Sequence, residues 1–307
     1  MELISNLVGV KLDPLKNAES LTVLPLLGAE VVSDFEKKEV KVAVDAKKAE
    51  TWRQGLRDVR ESQRLPDWKA AKFAGRLQFS VGLNFGKVGR AFIRPLHARA
   101  CAPIPGDQLS QQGDQRCRWL ENYLSIRPVA VIRALKPKRE LVSTWTDAAG
   151  NRSCAVFLWS VNRGWHYSYW RMPKSVLRKL LPRRNDQITY LELAAVILAF
   201  TTFQGWLTQA AWTAWVDNQG VVGALLKGGA RASDVNAVIG QLWLNIAKLG
   251  IALQIGRVAS KANIADEPTR GCKDWIEKSG ATFHEPLIPE WLLDPWCAPD
   301  MAPEKLL

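Results

Sequence analysis

Four carboxylates in this chain stand where carboxylates are costly. Residues 187–226 carry two charges, Glu192 and Asp217, both acidic and neither with a basic neighbour in sequence. Glu192 falls on the stripe Ile188, Glu192, Ala195, Val196, Ala199, inside a segment that is apolar nearly all round. Asp217 ends TAWV, a short strand-like run with no other charge. Asp147 closes another such run in TWTDAAG, where two alanines and a glycine leave the carboxylate uncrowded. Asp266 follows the alternating run IALQIGRVA (251–259) in KANIADEPTRG, with Asn263 ahead of it and Pro268 behind. Burying an unpaired carboxylate costs several kcal/mol, so such a group is neutralised, paired or bound to a cation.

Each acid has an ordinary alternative. Glu192 and Asp217 would suit structural ion pairs to a distant Arg or Lys, and Asp-x-x-Gly at 147 is plain turn composition. Asp266 ahead of a proline is normal helix-start chemistry. The set is distinguished by its context: strand end, apolar helix, strand end, start of a post-strand helix. If the strands carrying Asp147 and Asp217 are neighbours, both acids sit at the carboxyl edge of the sheet, where α/β sites form. Four crowded carboxylates raise one another's pKa values, and divalent cations offset that repulsion. All-oxygen ligation with open water positions suits Mg²⁺ or Mn²⁺ rather than zinc. Two such ions about 4 Å apart activate a water and stabilise a leaving oxygen in phosphodiester cleavage.

The elements that must position these acids follow from periodicity. LVSTWTDAA, SCAVFLWS and GWHYSYW are short runs rich in aromatic and β-branched residues, linked by Asn-Arg and Asn-Arg-Gly, and read as consecutive antiparallel strands. A basic segment, RMPKSVLRKLLPRR (171–184), precedes an apolar helix over 188–203. TAWV is a strand, two helical stretches follow, and IALQIGRV is the last strand. Strands first and then alternating helix and strand predict an α/β domain with a mixed sheet. Upstream, residues 20–44 suggest a β-hairpin, and three helical patterns follow. Trp52, Leu56 and Val59 share one face of the first, and Phe73, Leu77 and Val81 one face of the second. The third, KVGRAFIRPLHARA, should stop or kink near Pro95. Residues 101–114, rich in Pro, Gly and Gln, read as a loop and soft boundary, before an amphipathic helix carrying Trp119. From residue 281 five prolines predict an extended tail whose Trp291 and Trp296 dock on the body.

The order Asp147, Glu192, Asp217, Asp266 resembles the Asp-Glu-Asp-Asp set of ribonuclease H. WTDAAG, ITYLELAAV, WVDNQGVV and NIADEPTRG resemble the ribonuclease H domains of retroelement reverse transcriptases. The resemblance implies a ribonuclease-H-like α/β fold over 140–278, with a mixed five-stranded sheet flanked by helices. It implies two-metal hydrolysis of the RNA strand of an RNA/DNA hybrid, with Mg²⁺ (or Mn²⁺) held by the four acids. Less specifically, LLGAEVV and AAKFAGRLQFS…GRAFIRPLHA resemble the end of a palm, a thumb and a connection. Residues 1–135 would then be a mainly helical region carrying the hairpin, and 279–307 a Pro-rich tail. The paired aspartates of a polymerase turn are absent, and no two aspartates are adjacent in the chain. DNA synthesis is therefore not expected of this chain alone, and a palm and fingers module on another chain is a candidate partner. Many ribonucleases H also carry a histidine in the loop before the last aspartate. RVASKAN has none, and the histidines here are His97, His166 and His284. His166 reads as a strand residue.

The family's substrate is contacted mostly through its backbone and 2′-hydroxyls. Lys174, Arg178, Lys179, Arg183 and Arg184, in a segment without acids, form a candidate phosphate rail or simply a solvated basic face. Asn218, Gln219 and Asn263 adjoin the acids and would either reach the scissile phosphate or cap and turn the chain. Lys and Arg exceed Asp and Glu by 42 to 30, a net charge of +12 that favours a polyanion partner. The five cysteines are scattered and form no CxxC, which argues against a disulfide framework or structural zinc. No segment reads as a signal peptide or membrane span, so an intracellular protein, cytoplasmic or nuclear, is expected. The rival readings are a catalytically silent nucleic-acid-binding remnant and another ribonuclease-H-like nuclease.

Overall fold

The computed structural model describes residues 23–26, 28–34, 36, 38–84, 87–102, 107–133, 139–182, 187–272 and 274–296. The N-terminal half opens with strands β1 (Val23–Leu26), β2 (Ala29–Asp34) and β3 (Glu39–Val44). The run read as one arm of a hairpin is divided at Gly28, whose φ of +92° suits glycine, so there are two hairpins. Four helices follow: α1 (Ala46–Ser62), α2 (Asp67–Leu83), α3 (Arg90–Cys101) and α4 (Gln111–Ile126). The chain then returns as β4 (Ala130–Arg133) to complete an antiparallel sheet in the order β1-β2-β3-β4.

Helical spacing places the apolar faces as expected. Trp52, Leu56 and Val59 of α1 and Phe73, Leu77 and Val81 of α2 are all buried. Asp45 caps α1 by accepting from the Lys48 backbone N–H at 2.9 Å. One loop is shorter than expected, and one helix does not stop where a stop or kink was expected. Helix α4 already begins at Gln111, because Ser110 caps it through the Gly113 N–H at 3.1 Å, so the loop ends sooner than 114. Helix α3 runs through Pro95 to Cys101. A proline at 95 cannot bond the Ala91 carbonyl one turn back. That carbonyl instead accepts from the Asn236 side-chain amide, so a residue far along the chain replaces the missing donor.

The second half is built on a mixed six-stranded sheet. Strands β5 (Leu141–Ala148), β6 (Ser153–Ser160) and β7 (Gly164–Arg171) form an antiparallel meander. Then come α5 (Lys174–Lys179), α6 (Ile188–Thr202), α7 (Gln204–Leu207), β8 (Ala211–Val216), α8 (Gln219–Lys227), α9 (Ser233–Lys248) and β9 (Ala252–Arg257). A 3-10 turn (Ser260–Ala262) leads to α10 (Asp266–Thr269), α11 (Asp274–Ser279), β10 (Thr282–Phe283) and α12 (Glu290–Leu293). The sheet order is β10-β7-β6-β5-β8-β9, with β8 parallel to both β5 and β9. The expected count was five strands; the sixth, β10, comes from the tail and pairs parallel to β7.

Helix α6 lies against β5 and β6. It is buried continuously from Tyr190 to Phe200, which explains a sequence apolar on every side. The tail is docked as far as Trp296, residues 297–307 lying outside the described residues: the Tyr190 hydroxyl donates to the Leu292 carbonyl (2.8 Å) and Trp296 Nε1 donates to the Lys179 carbonyl (2.9 Å). Residues of both halves join one continuous core. Within it Phe92 of α3 stacks on Trp119 of α4 with centroids 3.8 Å apart, and Trp119 Nε1 donates to Gln241 of α9 at 3.1 Å. Cys101, Cys117, Cys154 and Cys272 are free thiols. Among the described residues, no helix is long and apolar enough to cross a membrane.

Candidate metal centre

Parallel pairing of β5 with β8 sets Thr146 opposite Val216, so the next residues, Asp147 and Asp217, come side by side at the carboxyl edge, Asp147 still paired with Ala155 of β6. Helix α6 begins beneath that edge and, one turn in, presents Glu192. Carboxylate oxygens of Asp147, Glu192 and Asp217 lie within 4.8 Å of one another, a cluster of three acids that could hold a metal ion. Asp147 and Glu192 are buried and Asp217 is half-buried.

The surroundings orient some oxygens and leave others unsatisfied. The Ala148 backbone N–H donates to Glu192. Thr269 Oγ1 donates to Asp147 Oδ2 at 2.6 Å, with the Asp266 carbonyl a further 2.9 Å contact of the same hydroxyl. Asn263 ties the segment ahead of α10 to the sheet by donating from Nδ2 to the Thr146 carbonyl at 3.0 Å. Glu192 Oε2 and Asp217 Oδ1, by contrast, are buried and have no hydrogen-bond partner. Buried polar oxygens are rarely left in this state. A cation among three carboxylates would satisfy both, and oxygen-only donors suit a hard divalent ion.

Electrostatics point the same way. Burial, reinforced by Asp147 and Asp217, pushes the Glu192 carboxyl up to about 9. Burial also raises Asp147, to about 6, with the Thr269 hydrogen bond opposing it and the charges of Asp217 and Asp266 adding to it. Without a counter-charge the site retains protons, which is the cost a divalent cation removes.

The fourth acid, Asp266, is placed differently. It opens α10 close enough to raise Asp147 and Glu192, but it is not one of the three clustered carboxylates. Its Oδ1 accepts from Arg270 Nε at 2.9 Å, one turn along the same short helix.

The other expected contacts divide. Asn218 caps α8, accepting from the N–H groups of Gly220 and Val221 at 3.0 and 3.2 Å, so its side chain is engaged locally. Gln219 is exposed beside it. Lys174 and Arg178 are exposed on α5, whereas Lys179 is paired with Asp294 at 2.9 Å. Arg183 and Arg184 lie outside the described residues. His166 is a β7 residue whose Nδ1 lies 3.0 Å from His284 Nε2. Thr269 and Arg270 were given no role from sequence, although both stand inside NIADEPTRG, three and four residues beyond Asp266. That helical spacing was the available signal.

No protein-family model and no curated protein matches this chain.

Proposed function

We propose that this chain is a metal-dependent endonuclease that hydrolyses the RNA strand of RNA/DNA hybrids, the ribonuclease H portion of a retroelement reverse transcriptase. One observation carries the reading. Two buried oxygens without partners, on Glu192 and Asp217, face a third carboxylate at the carboxyl edge of a parallel strand pair. An antiparallel meander followed by two parallel strands and covered by an apolar helix supports the same reading, as do the four sequence strings.

Two Mg²⁺ or Mn²⁺ ions would supply Lewis-acid charge and an acidified water at these carboxylates. Asp147, its Oδ2 fixed by Thr269, would be one of the ligands. Asp217 stands beside it at the opening. Glu192, held by the Ala148 N–H, would orient the attacking water. Asp266 completes the set when Arg270 swings aside. That pair is largely solvent-exposed on the arginine side, and such pairs contribute about 0–1 kcal/mol. Attack on the RNA phosphodiester leaves 3′-hydroxyl and 5′-phosphate ends.

The Asp266–Arg270 pair also favours a second reading, a hybrid-binding remnant that holds nucleic acid without cutting it. Cleavage of a labelled RNA/DNA hybrid with Mg²⁺ or Mn²⁺, by wild type and by Asp217→Asn, separates the two. Metal-dependent RNA cutting lost in the variant is expected. Tight binding with no cutting by either protein would overturn the nuclease reading.

A further inference from the structure

A groove of about 770 Å³ runs between the two halves of the molecule. Its walls are α2 and α3 on one side and α6, α8 and the α8–α9 turn on the other. Five cationic or titratable side chains line it: Arg90, Arg94 and His97 from α3, and Lys227 and Arg231 from the far wall. All five are exposed, and no Asp or Glu is among the lining residues. Among the described residues none of the four permanent cations forms an ion pair. A concave surface of one sign, with no internal neutralisation, concentrates field lines and attracts a polyanion.

The groove is a built junction. Asn236 of α9 donates to the Ala91 carbonyl that Pro95 leaves unpaired, and its Oδ1 accepts from the Ala230 N–H at 2.9 Å. Arg94 donates to the Ala230 carbonyl at 3.2 Å. Gly228, at φ +67°, presses the turn so closely on Lys87 that a Cβ would lie 2.9 Å from its backbone. Gly240 leaves the room on α9 that the Phe92 ring of α3 fills. Arg94 is therefore tied across the junction to the turn in which Arg231 follows Ala230.

The groove also shares elements with the metal centre. Thr189 at its floor is one helical turn before Glu192 on α6, and Gln219 at its rim is two residues beyond Asp217.

We propose that this inter-half groove binds the sugar-phosphate backbone of the nucleic acid whose scissile phosphate lies at the carboxylates, with Arg90, Arg94, Lys227 and Arg231 as its phosphate contacts. The identity of the ligand as an RNA/DNA hybrid rests on the function proposed above. The surface itself rests on the groove's charge and shape. It makes the N-terminal helices part of the substrate site rather than a separate appendage.

The test is equilibrium binding of a fluorescent RNA/DNA hybrid in chelator, across a KCl series, so that binding is read without cutting. Arg90→Gln, Lys227→Gln and Arg231→Gln are combined, because among the described residues these side chains make no hydrogen bond or ion pair whose loss could unfold the protein. Each lost phosphate contact lowers the slope of log K against log salt by about 0.9, so the triple variant should be shallower by about 2.7. Its affinity at low salt should fall roughly tenfold or more. Charge reversal, Arg90→Glu with Arg231→Glu, should fall further while melting like wild type. A triple variant that binds with wild-type affinity and slope overturns the groove, even if wild type cuts hybrid and the nuclease reading stands. A wild type that binds but never cuts, with binding lost in the variant, leaves the groove standing and sinks the nuclease. A wild type that does not bind hybrid at all overturns the groove.

Discussion

Thr269 and Asp147 meet across 122 residues of sequence: the hydroxyl donates to Asp147 Oδ2 at 2.6 Å in a buried setting. The bond has two consequences. It fixes the rotation of the Asp147 carboxylate within the three-acid cluster. It also fastens the short helix α10 to the end of β5 and thereby brings Asp266 into the neighbourhood.

Replacing Thr269 with valine keeps the shape and removes the donor. Hydrogen bonds to charged groups contribute about 1.5–3 kcal/mol, and partners that orient metal ligands typically matter 10- to 100-fold in affinity or activity. Thr269→Val should therefore weaken Mn²⁺ binding, followed by calorimetry, by roughly tenfold or more. Thr269→Ser should restore most of it. Equal binding by all three proteins would show that Asp147 needs no orienting partner.

The elements were legible where one physical rule dominated. Period-two aromatic runs gave the meander, and burial of Tyr190–Phe200 on all sides is what an uninterrupted apolar helix means. Three of the four acids converge because strand ends and a helix start are local signals, and the parallel pairing of β5 with β8 brings them together. What was not legible depended on distant partners. Pro95 reads as a break because its acceptor is orphaned, and only Asn236, 145 residues away from Ala91, repairs it. Asp266, read as a fourth ligand, stands outside the three clustered carboxylates and carries Arg270 on its Oδ1, a partner that only the folded helix shows. Asn218 reads equally as a cap or a substrate contact, and its two backbone donors make it a cap.

Arg270 would compete with a cation for Asp266, whose Oδ1 it holds at 2.9 Å. Its side chain is 72% exposed, so losing the pair should change the melting temperature little. Removing it frees a carboxylate beside the cluster, and Arg270→Ala should tighten Mn²⁺ binding several-fold at low salt while leaving stability near wild type. Weaker binding in that variant would instead make Arg270 a positioning residue for α10, and the competition idea would fall.

The raised carboxyls make stability depend on pH in a direction opposite to the usual one for acids. Glu192 lies at about 9 in the folded chain against an ordinary 4.5, and Asp147 at about 6 against 3.8. An acid with a raised folded pKa retains a proton that the unfolded chain has released. Its contribution is fully present below the ordinary value and is lost as pH rises through the folded value. In chelator, thermal stability should therefore decline between pH 4.5 and 9, most of that decline coming from Glu192. Divalent cation binds the deprotonated carboxylates, so the gap in melting temperature between Mg²⁺ and chelator samples should widen with pH. Glu192→Gln removes the largest of these protons. It should flatten the chelator curve, raise melting temperature at pH 8 without metal, and close the gap. A chelator curve that rises through this window would mean that Glu192 is not protonated in the free fold, and a Glu192→Gln protein that still responds fully to Mg²⁺ would mean that it is not a ligand in the loaded one.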